Sequence, residues 1–215
     1  VAGIAVPDTR RYRLTSALTK QGDEWRFTGM KGRFGDSDLA GKFTAKLREP
    51  RLLLTAELTT RTLDIVDAGP FIGYSPRQSE TGQVVTQAAG APRILPDAPL
   101  RIEALKNFDA KVDWKVRSVR APSFPVSNIH LGLDLDDRLL TLSPLNFTMA
   151  RGTIQSDITI NARREPVFTD YDIRLSPTPM GTLLAGFGVA EAGTSGTLKA
   201  RVKMTGTGNS VHDSL

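Results

Sequence analysis

Phe108, Ala110, Val112, Trp114 and Val116 alternate with Asp109, Lys111, Asp113, Lys115 and Arg117. Side chains on a strand point to opposite faces in turn, so this stretch predicts a strand with one apolar and one charged side. The same two-residue period recurs. Ile129, Leu131, Leu133 and Leu135 alternate with Asn128, His130, Gly132 and Asp134. Ile154, Ile158 and Ile160 share a parity with Gly152 and Ser156, and Leu198, Ala200, Val202 and Met204 alternate with Lys199, Arg201 and Lys203. The pattern predicts a sheet with one continuous apolar face, and the functional question is what covers that face.

Two strand blocks flank a different middle. The first block reads as strands at Tyr12–Lys20, Trp25–Arg33, Ser37–Leu47 and Arg51–Thr60, with Gly22-Asp23 and Gly35-Asp36 as turn residues. Residues 73–96 are rich in Ser, Gln, Thr, Gly and Pro, the composition of a flexible loop, so mobility is expected at Gly73–Gly90. The second block runs from Phe108 to Met204. A shift of 115 residues sets Trp25 on Leu140, Phe27 on Leu142, Met30 on Leu145, Leu39 on Ile154 and Phe43 on Ile158. Both copies carry Arg-Glu-Pro, at Arg48–Pro50 and Arg164–Pro166. The expected organisation is a first repeat over 1–72, a linker over 73–96 and a second repeat over 97–215. Short helices are expected at Leu63–Ile72, Leu100–Lys106 and Met180–Ala185. Repeated sheet units that share an apolar face stack into an extended body.

Strands of nine to eleven residues run about 30–35 Å. Leaving their apolar face wet would forgo about 1.5–3 kcal/mol per side chain. The alternation alone fits a self-closed β-sandwich slightly better than an open trough, because most apolar faces are ordinary core.

Charge and chemistry narrow the picture by exclusion. The chain carries 28 basic and 23 acidic residues, a net charge of +5, spread along polar strand faces rather than clustered. This argues against nucleic acid as a partner. The absence of cysteine removes disulfides, thiol catalysis and thiolate metal sites. The two histidines, His130 and His212, have no positioned partner in the sequence pattern, so no catalytic base is assigned. Asp36-Ser37-Asp38 and Asp134, Asp136 and Asp137 read as turns, not metal sites. No cofactor is expected and the chain is not read as an enzyme. No window is long and apolar enough to span a membrane as a helix. The abrupt start at Val1 and end at Leu215 suggest a piece of a longer protein.

Several stretches carry a resemblance. They are Tyr12-Arg13-Leu14, Gly22–Phe27, Gly32–Gly41, Leu54–Leu58, Leu95–Leu100, Asp109-Ala110, Leu140–Leu145, Gly196–Leu198 and Gly208–Val211. In this order the chain resembles the C-terminal portion of the AsmA family, over nearly its whole length outside Gly73–Gly90. The resemblance implies a predominantly all-β fold: an elongated, curved antiparallel sheet of repeated units forming a β-groove, with a few short helices. It implies a periplasmic segment of a Gram-negative envelope protein, tethered to the inner membrane by an anchor helix absent from this chain. It also implies a part in phospholipid transport between the membranes and in outer-membrane homeostasis, with acyl chains as the bound partner. The alternative is a scaffold for outer-membrane assembly proteins, without lipid transfer. Residues expected to line a lipid groove are Phe27, Leu39, Phe43, Leu54, Val112, Trp114, Leu133, Leu142, Ile158, Ile173 and Val202.

Overall fold

The computed structural model describes residues 12–67, 107–121, 126–149, 151–186 and 195–208. Ten strands lie side by side in chain order: β1 (Tyr12–Gln21), β2 (Glu24–Phe34), β3 (Ser37–Lys46), β4 (Leu52–Asp64), β5 (Phe108–Arg120), β6 (Val126–Asp136), β7 (Leu139–Met149), β8 (Gly152–Asn161), β9 (Phe168–Pro179) and β10 (Thr197–Thr207). They form one open, curved sheet, with β1 and β10 as its edges. Helix α1 (Met180–Gly186) follows β9, and residues 65–67 are helical after β4. The fold is therefore predominantly β, as the alternation requires, and the open, curved sheet with short helices is the groove-forming architecture that the family resemblance implies.

Three details depart from the sequence expectation. The pair β4–β5 is parallel, from Leu52↔Phe108 to Asp64↔Arg120, in an otherwise antiparallel sheet. Alternation specifies faces but carries no strand direction. The helix expected at Leu63–Ile72 begins only at residue 65, because Leu63 is drawn into β4 and packs, fully buried, against Val116. The expected strand at Ser37–Leu47 stops at Lys46. Residues 68–106, which contain the expected loop over Gly73–Gly90 and helix at Leu100–Lys106, lie outside the described residues.

The internal repeat is exact in register. Shifted by 115 residues, β2 falls on β7 and β3 on β8 from end to end. The pairs Trp25↔Ala45 and Phe27↔Phe43 become Leu140↔Ile160 and Leu142↔Ile158. The bulge between Phe27 and Met30 falls on the one between Leu142 and Leu145. Gly29 makes it in the first copy with a φ of 59°, which suits glycine. In the second copy the equivalent residue is Pro144, and a bulge is where a strand tolerates a residue with no N–H to donate. The structural repeat is thus the meander β1–β4 and its copy β6–β9. Strand β5, which opens the second block in sequence, sits between the two.

A charged latch joins the copies. Asp109, at the start of β5, is 2% exposed. It accepts bonds from Arg48, from Arg51 Nε at 2.9 Å and from the backbone N–H of Asp137 at 2.9 Å. Arg51 Nη1 also donates to Asp137 at 2.7 Å. From the other side, Arg163 donates to the carbonyls of Asp136 and Asp137 at 2.9 and 3.0 Å. The β6–β7 turn, with Asp137 and Arg138 both at positive φ, is held from both copies. Burial pushes the Asp109 carboxyl up, but the N–H of Asp137 and the two guanidiniums outweigh it and hold the pKa below the ordinary value.

Because its folded pKa is depressed, Asp109 adds stability above the unfolded value of about 4, and this stability is lost as pH falls. Replacing Asp109→Asn should cost about 2 kcal/mol at neutral pH, the scale of hydrogen bonds to a charged group. Thermal melts should show the gap between parent and variant widest above pH 4 and shrinking on acidification; a gap independent of pH would refute the latch.

A second test concerns the β4–β5 seam. Trp114 Nε1 donates to Thr60 Oγ1 at 3.0 Å, and Thr60 is buried. Thr60→Val keeps the shape and removes the acceptor. We expect a loss of about 1–3 kcal/mol, the cost of an orphaned donor, together with a shift in tryptophan emission. Denaturant unfolding followed by fluorescence measures both.

Candidate functional site

The paired residues of neighbouring strands set out the apolar face row by row. One row crosses all ten strands: Leu18 pairs with Phe27, Phe27 with Phe43, and Phe43 with Ala56. Ala56 then pairs with Val112, Val112 with Leu133, and Leu133 with Leu142. Leu142 pairs with Ile158, Ile158 with Tyr171, and Tyr171 with Met204. Every position in this row is apolar or aromatic. On one side of it runs a second row with Trp25, Leu54, Leu135 and Ile160, and on the other a third with Leu58, Trp114, Ile173 and Val202. At about 4.8 Å per strand, ten strands make a strip about 43 Å long.

All eleven residues singled out from sequence stand on this one face. Phe27, Phe43, Val112, Leu133, Leu142 and Ile158 belong to the central row. Leu54 is in the second row, and Trp114, Ile173 and Val202 are in the third. Leu39 sits one row further out, paired with Gly32. Sequence reasoning left Leu18, Tyr171, Leu131 and Leu145 out of the candidate set, although they complete the rows. Their parity is visible in the sequence, but which residue meets which across a strand pair is not.

Burial along the face is uneven. One buried cluster, Ile160, Ala162 and Val167, forms where the β8–β9 loop folds over the strand ends, with Leu140 and Ile158 against it. The other, Leu63 and Val116, lies toward the opposite strand ends, with Phe34, Trp114, Val119 and Ile129 against it. Between them Phe27, Phe43, Leu131, Leu133, Leu142 and Leu145 remain half-buried, although all six stand on interior strands. At the edges exposure rises, to 57% for Leu18 and 44% for Val202. In a closed sandwich the middle of the face would be the most deeply buried part. Here the ends are packed, and in the central row only Ala56 and Tyr171 are buried.

The opposite face is polar and mostly neutralised by cross-strand pairs. Lys42 meets Glu57 at 2.7 Å and Lys111 meets Asp134 at 3.1 Å. Asp172 accepts from Arg201 and Arg174 at 2.8 and 2.7 Å, and those guanidiniums hold its carboxyl far below the usual range. His130 Nε2 lies 2.7 Å from Asp113 Oδ2, a contact that lowers the Asp113 pKa. No group of three or more His, Cys, Asp or Glu suited to a metal ion occurs among the described residues. Asp136 and Asp137 serve the turn and its latch. No helix among the described residues is long and apolar enough to cross a membrane.

Comparison with known proteins agrees with the sequence resemblance. The chain is 26% identical over 226 residues to the AsmA family protein YhjG of Escherichia coli (strain K12). The match covers 98% of this chain but 32% of that protein, so the chain spans about a third of its relative's length. No solved structure matches the chain. The AsmA family is not a known enzyme family, and membership points to the bacterial envelope. The family model matches residues 5–215, and the chain belongs to the AsmA family.

Proposed function

We propose that this chain is a lipid-conducting segment of a periplasmic envelope protein, with the apolar face as its path for phospholipid acyl chains. The observation that carries the reading is the unbroken apolar row across all ten strands, half-buried along its middle. An acyl chain spans half of the ~30 Å hydrocarbon core of a bilayer. The strip of about 43 Å exceeds the length of one such chain. Each methylene that leaves water for this surface gains about 0.8 kcal/mol.

The face also suits movement. Neighbouring strands present similar apolar side chains to the central row, so a chain displaced by one strand spacing meets nearly the same surface. Binding is then similar from step to step and no deep well traps the lipid. The catalytic requirement is nil: this reading needs no nucleophile, base or metal, and the protein acts as a surface rather than as an enzyme. Charged headgroups remain in water beyond the strip, because burying an unpaired charge costs several kcal/mol.

A second reading is favoured by the edges. Every residue of β1 is exposed, and an open edge can add a strand from a partner. On that reading the chain is a scaffold for outer-membrane assembly proteins.

Leu133→Asp separates these readings better than a charge at Ile158. Ile158 packs against a buried cluster, so Ile158→Asp would also disturb the fold. Leu133 is half-buried between Val112 and Leu142. We expect Leu133→Asp to cost about 1 kcal/mol of stability, well short of the 2–5 kcal/mol for a filled core. In cells, a photocrosslinker at position 145, half-buried on the same face and outside both clusters, in the full-length protein should capture phospholipid, and Leu133→Asp should abolish the capture. Crosslinks to protein alone would favour the scaffold, and a parent that captures no lipid would overturn the conduit.

A further inference from the structure

On the polar face most charges are paired, but the β4–β6 seam gathers several cations. Across the parallel seam, Thr60 pairs with Val116 and Thr62 with Ser118, which sets Arg61 beside Arg117. On the next strand pair, Val116↔Ile129 and Ser118↔Ser127 set Asn128 beside Arg117. One residue-pair along, Thr59 stands beside Lys115, and Lys115 beside His130. Six side chains thus form a two-by-three grid on β4, β5 and β6: Thr59, Lys115 and His130 in one row, Arg61, Arg117 and Asn128 in the other.

This grid surrounds a concavity of about 460 Å³. The sheet opens there because β6 bulges at Asn128, whose φ is 51°. By alternation the side chain of Val116 points to the apolar face, so strand backbone forms the floor. No carboxylate lines the concavity among the described residues. Those nearby are already engaged: Asp38 takes the backbone N–H groups of Arg61 and Thr62 and lies 3.5 Å from the Arg61 guanidinium, while Asp113 holds His130 and lies 3.7 Å from Lys115. The Arg117 side chain makes no ion pair or hydrogen bond among the described residues.

Like charges directly opposite across strands destabilise a sheet. At several other positions on this face opposite charges meet, as at Lys42 with Glu57 and Lys111 with Asp134, and where Arg201 stands opposite Arg174 the carboxylate of Asp172 lies between them. Two arginines side by side, with a lysine and a histidine behind them and an amide at the rim, match a tetrahedral oxyanion. Arginine presents a planar fork to such an anion, and a multiply charged phosphate relieves the repulsion between neighbouring cations. The site lies on the face opposite the apolar strip, so a lipid whose tails lie in the strip does not present its headgroup here.

We propose that the concavity framed by Arg61, Lys115, Arg117 and His130 on the polar face of β4–β6 is a binding site for a phosphate group. The group is either a free oligophosphate or a phosphomonoester borne on a membrane surface.

Arg117→Ala is the decisive variant, because this exposed side chain makes no ion pair or hydrogen bond among the described residues. Calorimetric titration of the purified protein with pyrophosphate at low ionic strength should show saturable binding. Arg117→Ala should weaken it about tenfold, the loss expected for hydrogen bonds to a charged group. Without ligand, the same variant should melt no lower than the parent, since repulsion is relieved. Lys42→Ala, on the same face but outside the grid, should bind as the parent does. Flotation with phosphatidylcholine vesicles carrying phosphatidic acid distinguishes the sources. Vesicle binding that Arg117→Ala abolishes assigns the phosphate to a membrane, and pyrophosphate binding without vesicle binding assigns it to a soluble ligand. Absence of both, equal loss in Lys42→Ala and Arg117→Ala, or competition by chloride as strong as by phosphate would overturn the site.

Discussion

Register is the constraint on which the rest of this structure depends. A strand slipped by one residue presents its polar side chains where its apolar ones stood. For Leu18 to reach Met204 through an unbroken apolar row, nine successive strand pairs must all hold the same phase. The bulges act within this constraint. Between Phe27 and Met30, and again between Leu142 and Leu145, an extra residue bends the strand and restores the apolar parity beyond it. Trp25 and Phe27 lie before the first bulge, and Met30 and Phe34 after it, yet all four face the same way. A sheet can curve in this manner without exchanging its faces.

The two faces are stabilised differently, and the difference explains why the apolar one is left unfilled. Burial is concentrated near the strand ends, under the β8–β9 loop at Val167 and around Leu63 and Val116. On the polar side, ion pairs such as Lys42 with Glu57 stay exposed, where each is worth at most about 1 kcal/mol. Most of the holding free energy therefore lies in the backbone ladders, the packed strand ends and the buried Asp109 latch. None of these requires the middle of the apolar face to be covered, so that surface is free to meet something else.

Much of this was legible in the sequence, because the two-residue period reports the face of each residue directly. Val112, Trp114, Leu133 and Ile158 could be set on one side before any pairing was known. The shift that aligns Phe27 with Leu142 and Met30 with Leu145 brackets both bulges, although the pattern itself did not mark them. What alternation could not convey is strand direction or partner. Lys115 and Arg117 looked like ordinary solvated charges in β5, and only the parallel seam sets Arg117 against Arg61. Likewise Arg48 and Asp109 are separated by 61 positions, and nothing local to either marks them as a pair. Whether the apolar face closes on itself was also undecided by pattern, since a sandwich and a trough share the same alternation.

The parallel pair explains the symmetry of the whole. In a purely antiparallel sheet, the single strand β5 between two four-strand meanders would leave the second meander running opposite to the first. Its Arg-Glu-Pro loop would then lie at the far ends of the strands. Making β5 parallel to β4 restores the direction, so both loops lie at the same ends. Only then can Arg51 of the first copy and Arg163 of the second grip the same β6–β7 turn at Asp136 and Asp137. A parallel pair cannot be joined by a tight hairpin and needs a crossover of a dozen residues or more. Residues 65–107 supply that connection. The composition that reads as a linker between two blocks is therefore the covalent requirement for placing them in one sheet, with one apolar face and one direction.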